Sequence, residues 1–286
     1  MENETMRIAN WYGGKDFRIE RVPKPRIKDD EVLIRVKAVS ICGTELHAYT
    51  GKSKRREEIH GLPLVMGHEF SGEVVEAGKN VKEISVGDRV AVNPLITCGK
   101  CEQCITGKTN ICKKIKMIGL HVDGAFAEYV KVPARCLIKL PDELPLKESC
   151  IISDAVVSPY HAVKRRAKVS LGDWVAVFGC GGVGINCVQW ASLAGGIVIA
   201  VDIIDKKLEL AKELGATFTI NAKKVENVPK EIRKITGGGA DISMECIGNP
   251  DVITQAFDST KDGGTVVVVG YSFKSPPLNA ARLMYR

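Results

Sequence analysis

The sequence lacks any apolar run of the roughly 18 residues that a membrane-spanning helix requires. Its N-terminal residues include acids where a secretory signal carries basic residues, and no apolar segment follows them. The sequence also lacks internal repeats and low-complexity segments. These absences predict a soluble, cytoplasmic protein with no membrane partner.

Acidic residues are in the minority, with 34 aspartates and glutamates against 41 lysines and arginines and a net charge of +7. A positive excess can attract nucleic acid or anionic small molecules. The basic clusters are scattered, however, and lack the interleaved aromatic residues that single-strand binders use. We therefore predict no nucleic-acid partner. The clusters are Lys52/Lys54/Arg55/Arg56, Lys113/Lys114/Lys116 and Lys164/Arg165/Arg166.

The length of 286 residues suits two domains. Up to about residue 150 the chain has short stretches of alternating apolar and polar residues, separated by Gly, Pro and Asp, which predict a mostly β domain. Beyond that point, apolar strands alternate with amphipathic helices, which predicts a parallel sheet covered on both faces. We predict an α/β protein with domains at residues 1–155 and 156–286.

The second half contains a glycine-rich turn in the stretch "VAVFGCGGVGINC", between a predicted strand and a predicted helix. Gly179, Gly181 and Gly184 have G-x-G-x-x-G spacing, in which a tight turn brings a pyrophosphate close to a helix N-terminus. The next strand ends at Asp202, which would accept hydrogen bonds from the adenosine ribose and favour NAD over NADP. Lys207 could reach the same ribose. A structural turn, a helix N-cap and a solvated lysine are the alternative interpretations.

Ten cysteines in a chain of this size, without an export signal, favour thiolate chemistry over disulfides. Four of them form the pattern C-x2-C-x2-C-x7-C: Cys98, Cys101, Cys104 and Cys112. Four thiolates in one loop suit a tetrahedral structural zinc ion with no open position. The alternatives are an iron–sulfur cluster, whose usual spacings differ, and a nucleic-acid zinc ribbon.

Four motifs together resemble the zinc-dependent medium-chain alcohol dehydrogenases, from about Val32 to Gly270. They are "ICGTELH", "MGHEFSGEVVEAG", the four-cysteine loop and "VFGCGGVG", in this order. The resemblance implies a GroES-like catalytic domain, a Rossmann domain and a catalytic zinc ion in addition to the structural one.

The resemblance implies that Cys42 and His68 are the first two ligands of the catalytic zinc. The third position holds Asp154, where many family members have cysteine, and a carboxylate is an acceptable zinc ligand. Glu69 competes for this role and is expected beside the metal. The alternatives are a small buried Cys42, a core histidine at position 68 and a helix N-cap at Asp154.

The implied reaction begins with an alcohol at the open zinc position, where its pKa falls and the alkoxide passes a hydride to the nicotinamide ring. In the family, a hydroxyl at the position of Thr44 passes the proton, by way of the cofactor ribose, to a histidine that matches His47. A turn threonine and a surface histidine are the alternatives. Glu45 replaces the usual aspartate, which lengthens the side chain and could displace its hydrogen bond.

The resemblance implies further cofactor contacts beside the nicotinamide, in the segment Cys246–Gly248 that lines the cleft, at the end of the fifth strand and in the glycine-rich turn. Val269 could equally belong to the core. The implied contacts are Ser158, Gly182, Val183, Ile247 and Val269.

We therefore predict an NAD-dependent dehydrogenase of alcohols or polyols with two zinc ions per chain. The alternatives are a hydroxyacyl-CoA dehydrogenase, to which the basic loop at residues 52–56 would be suited, and a non-catalytic relative. The resemblance also implies a further C-terminal segment that this sequence lacks, and a homo-oligomer, dimer or tetramer, for the longer chain.

Overall fold

The computed structural model describes residues 4–51, 61–278 and 280–284. The chain divides into two compact units, Met1–Asp154 and Ala155–Arg286. Each unit has its own buried apolar core. In the described part of the chain, no helix is both long and apolar enough to cross a membrane.

The first unit is built mainly from short antiparallel strands, as the sequence predicts. The strands are β1 (Thr5–Trp11), β2 (Phe17–Pro23), β3 (Glu31–Val39), β4 (Leu64–Val65), β5 (Phe70–Ala77), β6 (Arg89–Val92), β7 (Leu95–Ile96), β8 (Lys116–Met117), β9 (Tyr129–Pro133) and β10 (Leu137–Lys139). The helices are α1 (Gly43–Tyr49) and α2 (Glu102–Ile105), with 3-10 turns at Thr109–Ile111, Ala134–Cys136 and Glu148–Ile151.

The largest sheet of this unit has the strand order β10-β6-β5-β3-β9, and two smaller sheets have the orders β2-β1-β4 and β7-β8. Val32 and Ile34 of β3 are fully buried with Phe70 of β5, whereas the neighbouring Arg35 is exposed. The apolar side chains of the five-stranded sheet thus form the main core. The residues that follow β3 and those that precede β5 lie at the same end of these two paired strands, since Val39 pairs with Phe70.

The second unit contains one parallel sheet and the helices that cover it. Its strands are β11 (Trp174–Phe178), β12 (Ile197–Asp202), β13 (Phe218–Asn221), β14 (Ala240–Glu245) and β15 (Thr260–Val268). Its helices are α3 (Val157–Tyr160), α4 (Gly182–Leu193), α5 (Asp205–Glu213), α6 (Val228–Thr236), α7 (Pro250–Ser259) and α8 (Ala280–Met284), with π-helical turns at Ile152–Val156, which begins in the first unit, and at His161–Ala167.

The strand order of this sheet is β13-β12-β11-β14-β15. Val175 and Val177 of β11 pack into one apolar cluster, while Ala176 and Phe178 pack into another on the opposite face. Both faces are therefore covered, as predicted for a parallel sheet. Successive strands are added on one side of β11 up to β13 and on its other side from β14 onward, so the strand order reverses between β11 and β14. Ligands of such sheets bind at this point, outside the carboxyl ends of the strands.

Candidate metal and cofactor sites

The four cysteines of the predicted structural zinc site lie together in one loop. Their sulfur atoms are separated by 3.5 Å for Cys101 and Cys104, 3.6 Å for Cys98 and Cys112, 3.8 Å for Cys101 and Cys112, and 3.9 Å for Cys98 and Cys104. A tetrahedral zinc ion with Zn–S bonds of about 2.3 Å requires sulfur atoms about 3.8 Å apart. The loop therefore has the geometry of a single four-thiolate metal site.

Backbone N–H groups point at several of these sulfur atoms and lower the pKa of Cys98 and Cys101, whereas burial raises the pKa of Cys104 to about 11. Cys98 N and Lys114 N each donate to the sulfur of Cys112 at 3.4 Å. Backbone hydrogen bonds from Cys104 and Lys113 lower the pKa of Cys101 to about 6. Because zinc binds thiolates rather than thiols, this loop is prepared for a cation.

A second cluster of metal-binding side chains lies in the same unit and contains Cys42, His68, Glu69 and Asp154. One donor atom from each lies within 4.8 Å of all the others. Cys42 directly precedes α1, His68 lies between β4 and β5, and Asp154 lies inside the π-helical turn Ile152–Val156. The position of Asp154 within a helical turn does not match the alternative interpretation as a helix N-cap.

The distances from His68 distinguish Asp154 from Glu69 as the candidate third ligand. His68 Nε2 lies 3.2 Å from Asp154 Oδ2 and 3.9 Å from Glu69 Oε1. Nitrogen and oxygen ligands of a tetrahedral zinc ion, at about 2.0–2.2 Å from the metal, lie about 3.4 Å from each other. Asp154 therefore fits a ligand position together with His68 more closely than Glu69 does.

Ser40 holds the carboxylate of Glu69. The Ser40 hydroxyl donates to Glu69 Oε2, and the Ser40 backbone N–H donates to the Glu69 carbonyl at 2.9 Å. Burial raises the pKa of Glu69, and nearby Asp154 adds to this effect, while Ser40 and His68 oppose it. Sequence reasoning missed Ser40, because nothing in its local pattern indicates a partner in a different segment of the chain.

Glu45 connects two of the candidate ligands. Its Oε1 lies 2.6 Å from Nδ1 of His68, and its Oε2 accepts the backbone N–H of Cys42 at 3.0 Å. Metal-binding histidines commonly donate their second ring N–H to a carboxylate, which fixes the ring and its tautomer. The longer side chain thus makes the hydrogen bond that the sequence left open.

The cluster buries several ionisable groups side by side. Burial lowers the pKa of His68, but hydrogen bonds with Asp154, Cys42 and Glu45 raise it to about 12. His68 and Glu69 are almost completely buried, at 1% and 3% exposed. Sulfur, imidazole nitrogen and carboxylate oxygen are the donor types that zinc prefers, so the donor set fits a divalent metal ion.

Thr44 and His47 both lie on α1, which begins directly after Cys42. Residues three apart on a helix lie on the same face. Both side chains are partly exposed. The helix therefore places a hydroxyl and an imidazole next to one another, beyond the candidate ligand at its N-terminus.

The glycine-rich turn lies between β11 and α4, as predicted. A Cβ at Gly184 would lie 1.6 Å from the carbonyl oxygen of Gly179, so the helix and the turn pack too closely for any other residue. At Gly181 and Gly182, in contrast, no described atom lies within 4 Å of the position of a Cβ. With Val183 they form the start of α4, where open space beside backbone N–H groups fits a pyrophosphate.

Asp202 ends β12 beside this turn. Its Oδ2 accepts the N–H of Cys180 at 2.8 Å, and its Oδ1 accepts the N–H groups of Ile203 and Ile204 at 2.7 and 3.1 Å. Lys207 Nζ lies 3.9 Å from Oδ2. A carboxylate has about four acceptor positions, so Asp202 keeps capacity for a ribose hydroxyl while it anchors the turn.

The remaining predicted cofactor residues lie at two places in the second unit. Ser158 is in α3, which packs on α4 through a contact between Tyr160 and Trp190. Ile247 follows β14, and Val269 follows β15. The N–H of Ile247 donates to the carboxylate of Glu245, and the N–H of Val269 donates to the backbone carbonyl of the same residue. Sequence reasoning missed the buried Glu245.

The basic loop Lys52/Lys54/Arg55/Arg56 lies outside the described residues. The described residues therefore do not test the hydroxyacyl-CoA interpretation. Of the other basic clusters, Lys113, Lys114 and Lys116 are exposed, as are Lys164, Arg165 and Arg166.

Comparisons with known proteins agree with this arrangement. Residues 28–142 match the family described as the alcohol dehydrogenase GroES-like domain, and residues 182–286 match the zinc-binding dehydrogenase family. The chain is 37% identical over 280 residues to sorbitol dehydrogenase of Bacillus subtilis, covering 96% of this chain and 78% of that protein. It is 42% identical over 257 residues to an alcohol dehydrogenase of Geobacillus stearothermophilus, covering 90% and 74%.

Solved structures show the same architecture. A zinc-binding dehydrogenase from Sinorhizobium meliloti bound to NADP has a TM-score of 0.89 at 31% identity, covering 99% of this chain and 82% of that one. An alcohol dehydrogenase from Escherichia coli in complex with NADH has a TM-score of 0.88 at 28% identity, covering 98% and 80%. The fold is thus that of the medium-chain alcohol dehydrogenases, with a GroES-like and a Rossmann unit. The chain belongs to the zinc-dependent medium-chain alcohol dehydrogenase family and is an alcohol dehydrogenase that uses zinc and a nicotinamide cofactor.

Proposed function

We propose that the protein is an NAD-dependent dehydrogenase that interconverts an alcohol or polyol and its carbonyl compound, with one catalytic and one structural zinc ion per chain. The observation that carries this proposal is the cluster of Cys42, His68 and Asp154, in which His68 Nε2 and Asp154 Oδ2 are 3.2 Å apart. Three protein ligands that leave a fourth position open are typical of catalytic zinc.

Zinc in this cluster would supply Lewis acidity that lowers the pKa of a substrate hydroxyl. Asp154 is the third ligand in this proposal because its distance from His68 fits a tetrahedron. Ser40 holds Glu69 beside the ligands. Glu45 accepts the hydrogen bond of the Nδ1 proton of His68, which leaves Nε2 unprotonated and able to bind the metal.

The hydroxyl proton of the substrate leaves through α1 in this proposal. Thr44 Oγ1 accepts it, and the imidazole of His47 releases it to water, since the ordinary pKa of histidine lies near neutrality. The two residues share one face of α1. A nicotinamide cofactor would supply the hydride acceptor, so that an alcohol and the oxidised cofactor would give a carbonyl compound, the reduced cofactor and one proton.

Asp202 supports NAD as the preferred cofactor. Its carboxylate ends β12 beside the glycine-rich turn, where the 2′-phosphate of NADP would meet a negative charge. The four-cysteine loop supports the second, structural zinc ion, because its sulfur atoms leave no position for a substrate.

A substrate screen tests this proposal. The zinc-loaded protein is incubated with alcohols, polyols and hydroxyacyl-CoA esters, with NAD or NADP, and absorbance at the reduced-nicotinamide band is followed. We expect turnover of an alcohol or polyol with NAD, and a shift toward NADP in Asp202→Ser. Turnover only with hydroxyacyl-CoA esters, or with no compound at all, would contradict the proposal.

A further inference from the structure

Glu245 is a fully buried acid at the end of β14. It pairs with Phe178, the last residue of β11, at the point where the strand order of the parallel sheet reverses. The carboxyl ends of these two strands border the crevice in which parallel sheets bind ligands. A charged side chain with no exposed surface at this position requires a physical explanation.

The carboxylate of Glu245 accepts hydrogen bonds from three consecutive residues of the loop that follows β14. Oε1 accepts the N–H groups of Ile247 and Gly248 at 2.9 Å each and that of Asn249 at 3.4 Å, and Oε2 accepts the N–H of Gly248 at 3.1 Å. The loop thus curls around a single side chain. Its shape depends on an acceptor at this place.

Backbone N–H groups are the hydrogen-bond partners of the Glu245 carboxylate within the described ranges. Among the described residues, no lysine, arginine or histidine forms an ion pair with it. Burial raises the pKa of Glu245, although the N–H groups of Ile247, Gly248 and Asn249 oppose this effect. A neutral apolar residue would avoid the desolvation penalty of the charge, but it could not hold the loop.

The loop held by Glu245 contacts the glycine-rich turn. A Cβ at Gly179 would lie 2.4 Å from Cγ1 of Ile247, so this isoleucine packs directly on the turn. The Ile247 side chain is nevertheless 52% exposed. The backbone carbonyl of Glu245 also accepts the N–H groups of Val269 and Gly270, at 2.7 and 2.9 Å, from the end of β15. Glu245 therefore joins three segments beside the dinucleotide turn.

We propose that Glu245 is a positioning residue for the cofactor: by holding the N–H groups of Ile247, Gly248 and Asn249 around its carboxylate, it sets the loop that forms one wall of the dinucleotide site. This inference rests on the proposed function, because the wall matters only if a nicotinamide cofactor binds there. It predicts that the carboxylate acts on cofactor affinity without touching the cofactor or the metal ligands.

The test compares Glu245→Gln with the wild-type protein. The glutamine has the same shape, but its NH2 group would face at least one backbone N–H donor. We expect the Kd for NADH, measured by fluorescence titration, to rise roughly tenfold or more, which is the effect of one lost hydrogen bond to a charged group. The KM for NAD should rise more than kcat falls, and the bound zinc should not change.

Ser243→Ala is the matched structural control. Ser243 is also fully buried in β14 and accepts a hydrogen bond from the Thr260 hydroxyl at 2.8 Å, but it has no bond to the loop. Its loss should destabilise the unit while the Kd for NADH stays as in the wild type. Hydrogen exchange of the amides at 247–249 should accelerate in Glu245→Gln and remain unchanged in Ser243→Ala.

Two results would overturn the inference: an unchanged Kd in folded Glu245→Gln, or an equal rise of the Kd in Ser243→Ala, which would indicate a merely structural role. If Glu245→Gln does not fold, Glu245→Asp decides in its place. The aspartate is shorter and cannot reach all three N–H groups in the same way, so it should raise the Kd for NADH above the wild-type value, and unchanged binding would again contradict the inference. A wild-type protein that binds neither NADH nor NADPH would overturn the proposed function together with it.

Discussion

The Nδ1 atom of His68 lies 2.6 Å from Oε1 of Glu45, and the other oxygen of this carboxylate accepts the N–H of Cys42 at 3.0 Å. One buried side chain therefore orients two candidate zinc ligands from different parts of the chain. In the proposed zinc site, this carboxylate would accept the proton of Nδ1 and leave Nε2 of His68 as the metal-binding atom.

Glu45→Gln should weaken zinc binding at this site by about 10- to 100-fold, the usual effect of losing such a partner. Competition with a chromophoric chelator measures the affinity. Glu102→Gln is the matched control, since Glu102 is an exposed acid in the first turn of a helix that also begins after a cysteine. Equal chelator resistance of Glu45→Gln and the wild type would contradict the assigned role.

Ser40→Ala removes the hydroxyl that donates to Glu69. Glu69 is only 3% exposed, so its carboxylate would lose a donor that water cannot easily replace. We expect the free energy of unfolding, from urea titration, to fall by about 1–3 kcal/mol. Ser40→Thr keeps the hydroxyl and should retain most of the stability. If both variants lose equally, the hydrogen bond is not the cause.

Two alanine variants distinguish the two kinds of glycine in the dinucleotide turn. Gly184→Ala would place a Cβ 1.6 Å from the oxygen of Gly179 and should destabilise the protein as well as abolish NADH binding. Gly181→Ala meets no described atom within 4 Å, so it should keep the stability of the wild type and still lose NADH affinity. Thermal unfolding and NADH titration of both proteins give the comparison. Normal NADH binding by Gly181→Ala would place the pyrophosphate elsewhere.

Much of the fold follows from local sequence patterns. Apolar strands such as "WVAVF" and "IVIAVD" alternate with helices, and this order predicts the parallel sheet that is present. The four-cysteine loop and the glycine-rich turn were also predictable, because each is determined by spacing within a short stretch.

The supporting residues of the sites were not predictable in the same way. Ser40 and Glu45 act on Glu69 and His68 of another segment, so only the folded chain shows these pairs. Glu245 lies in a run that predicts a strand, and an acid is ordinarily exposed. Its burial becomes understandable only when three N–H groups of the following loop converge on it.

Asp241 makes the stability of the second unit depend on pH. Burial raises its pKa, but Lys261 and the N–H of Trp174 more than offset this effect and hold the pKa below its ordinary value. A lowered pKa in the folded state means that the ionised carboxylate stabilises the fold above the ordinary value near 3.8, and that this contribution disappears as the pH falls through the lower folded value.

Asp241→Asn should therefore lower the free energy of unfolding by about 1–2 kcal/mol at neutral pH. The difference between the wild type and the variant should shrink below the ordinary pKa of about 3.8. Urea titrations at a series of pH values measure it, and the comparison of two proteins cancels the loss of zinc that both undergo in acid. A difference that is constant down to low pH would contradict the assignment.

The zinc content of single-ligand variants tests the central claim most directly. Elemental analysis of the wild type should give two zinc ions per chain. Cys42→Ala and Asp154→Ala should each retain one zinc ion, with turnover abolished and NADH binding intact, whereas Cys101→Ala should lose the other ion and stability. Two zinc ions in Cys42→Ala, or undiminished turnover without the first ion, would contradict the account.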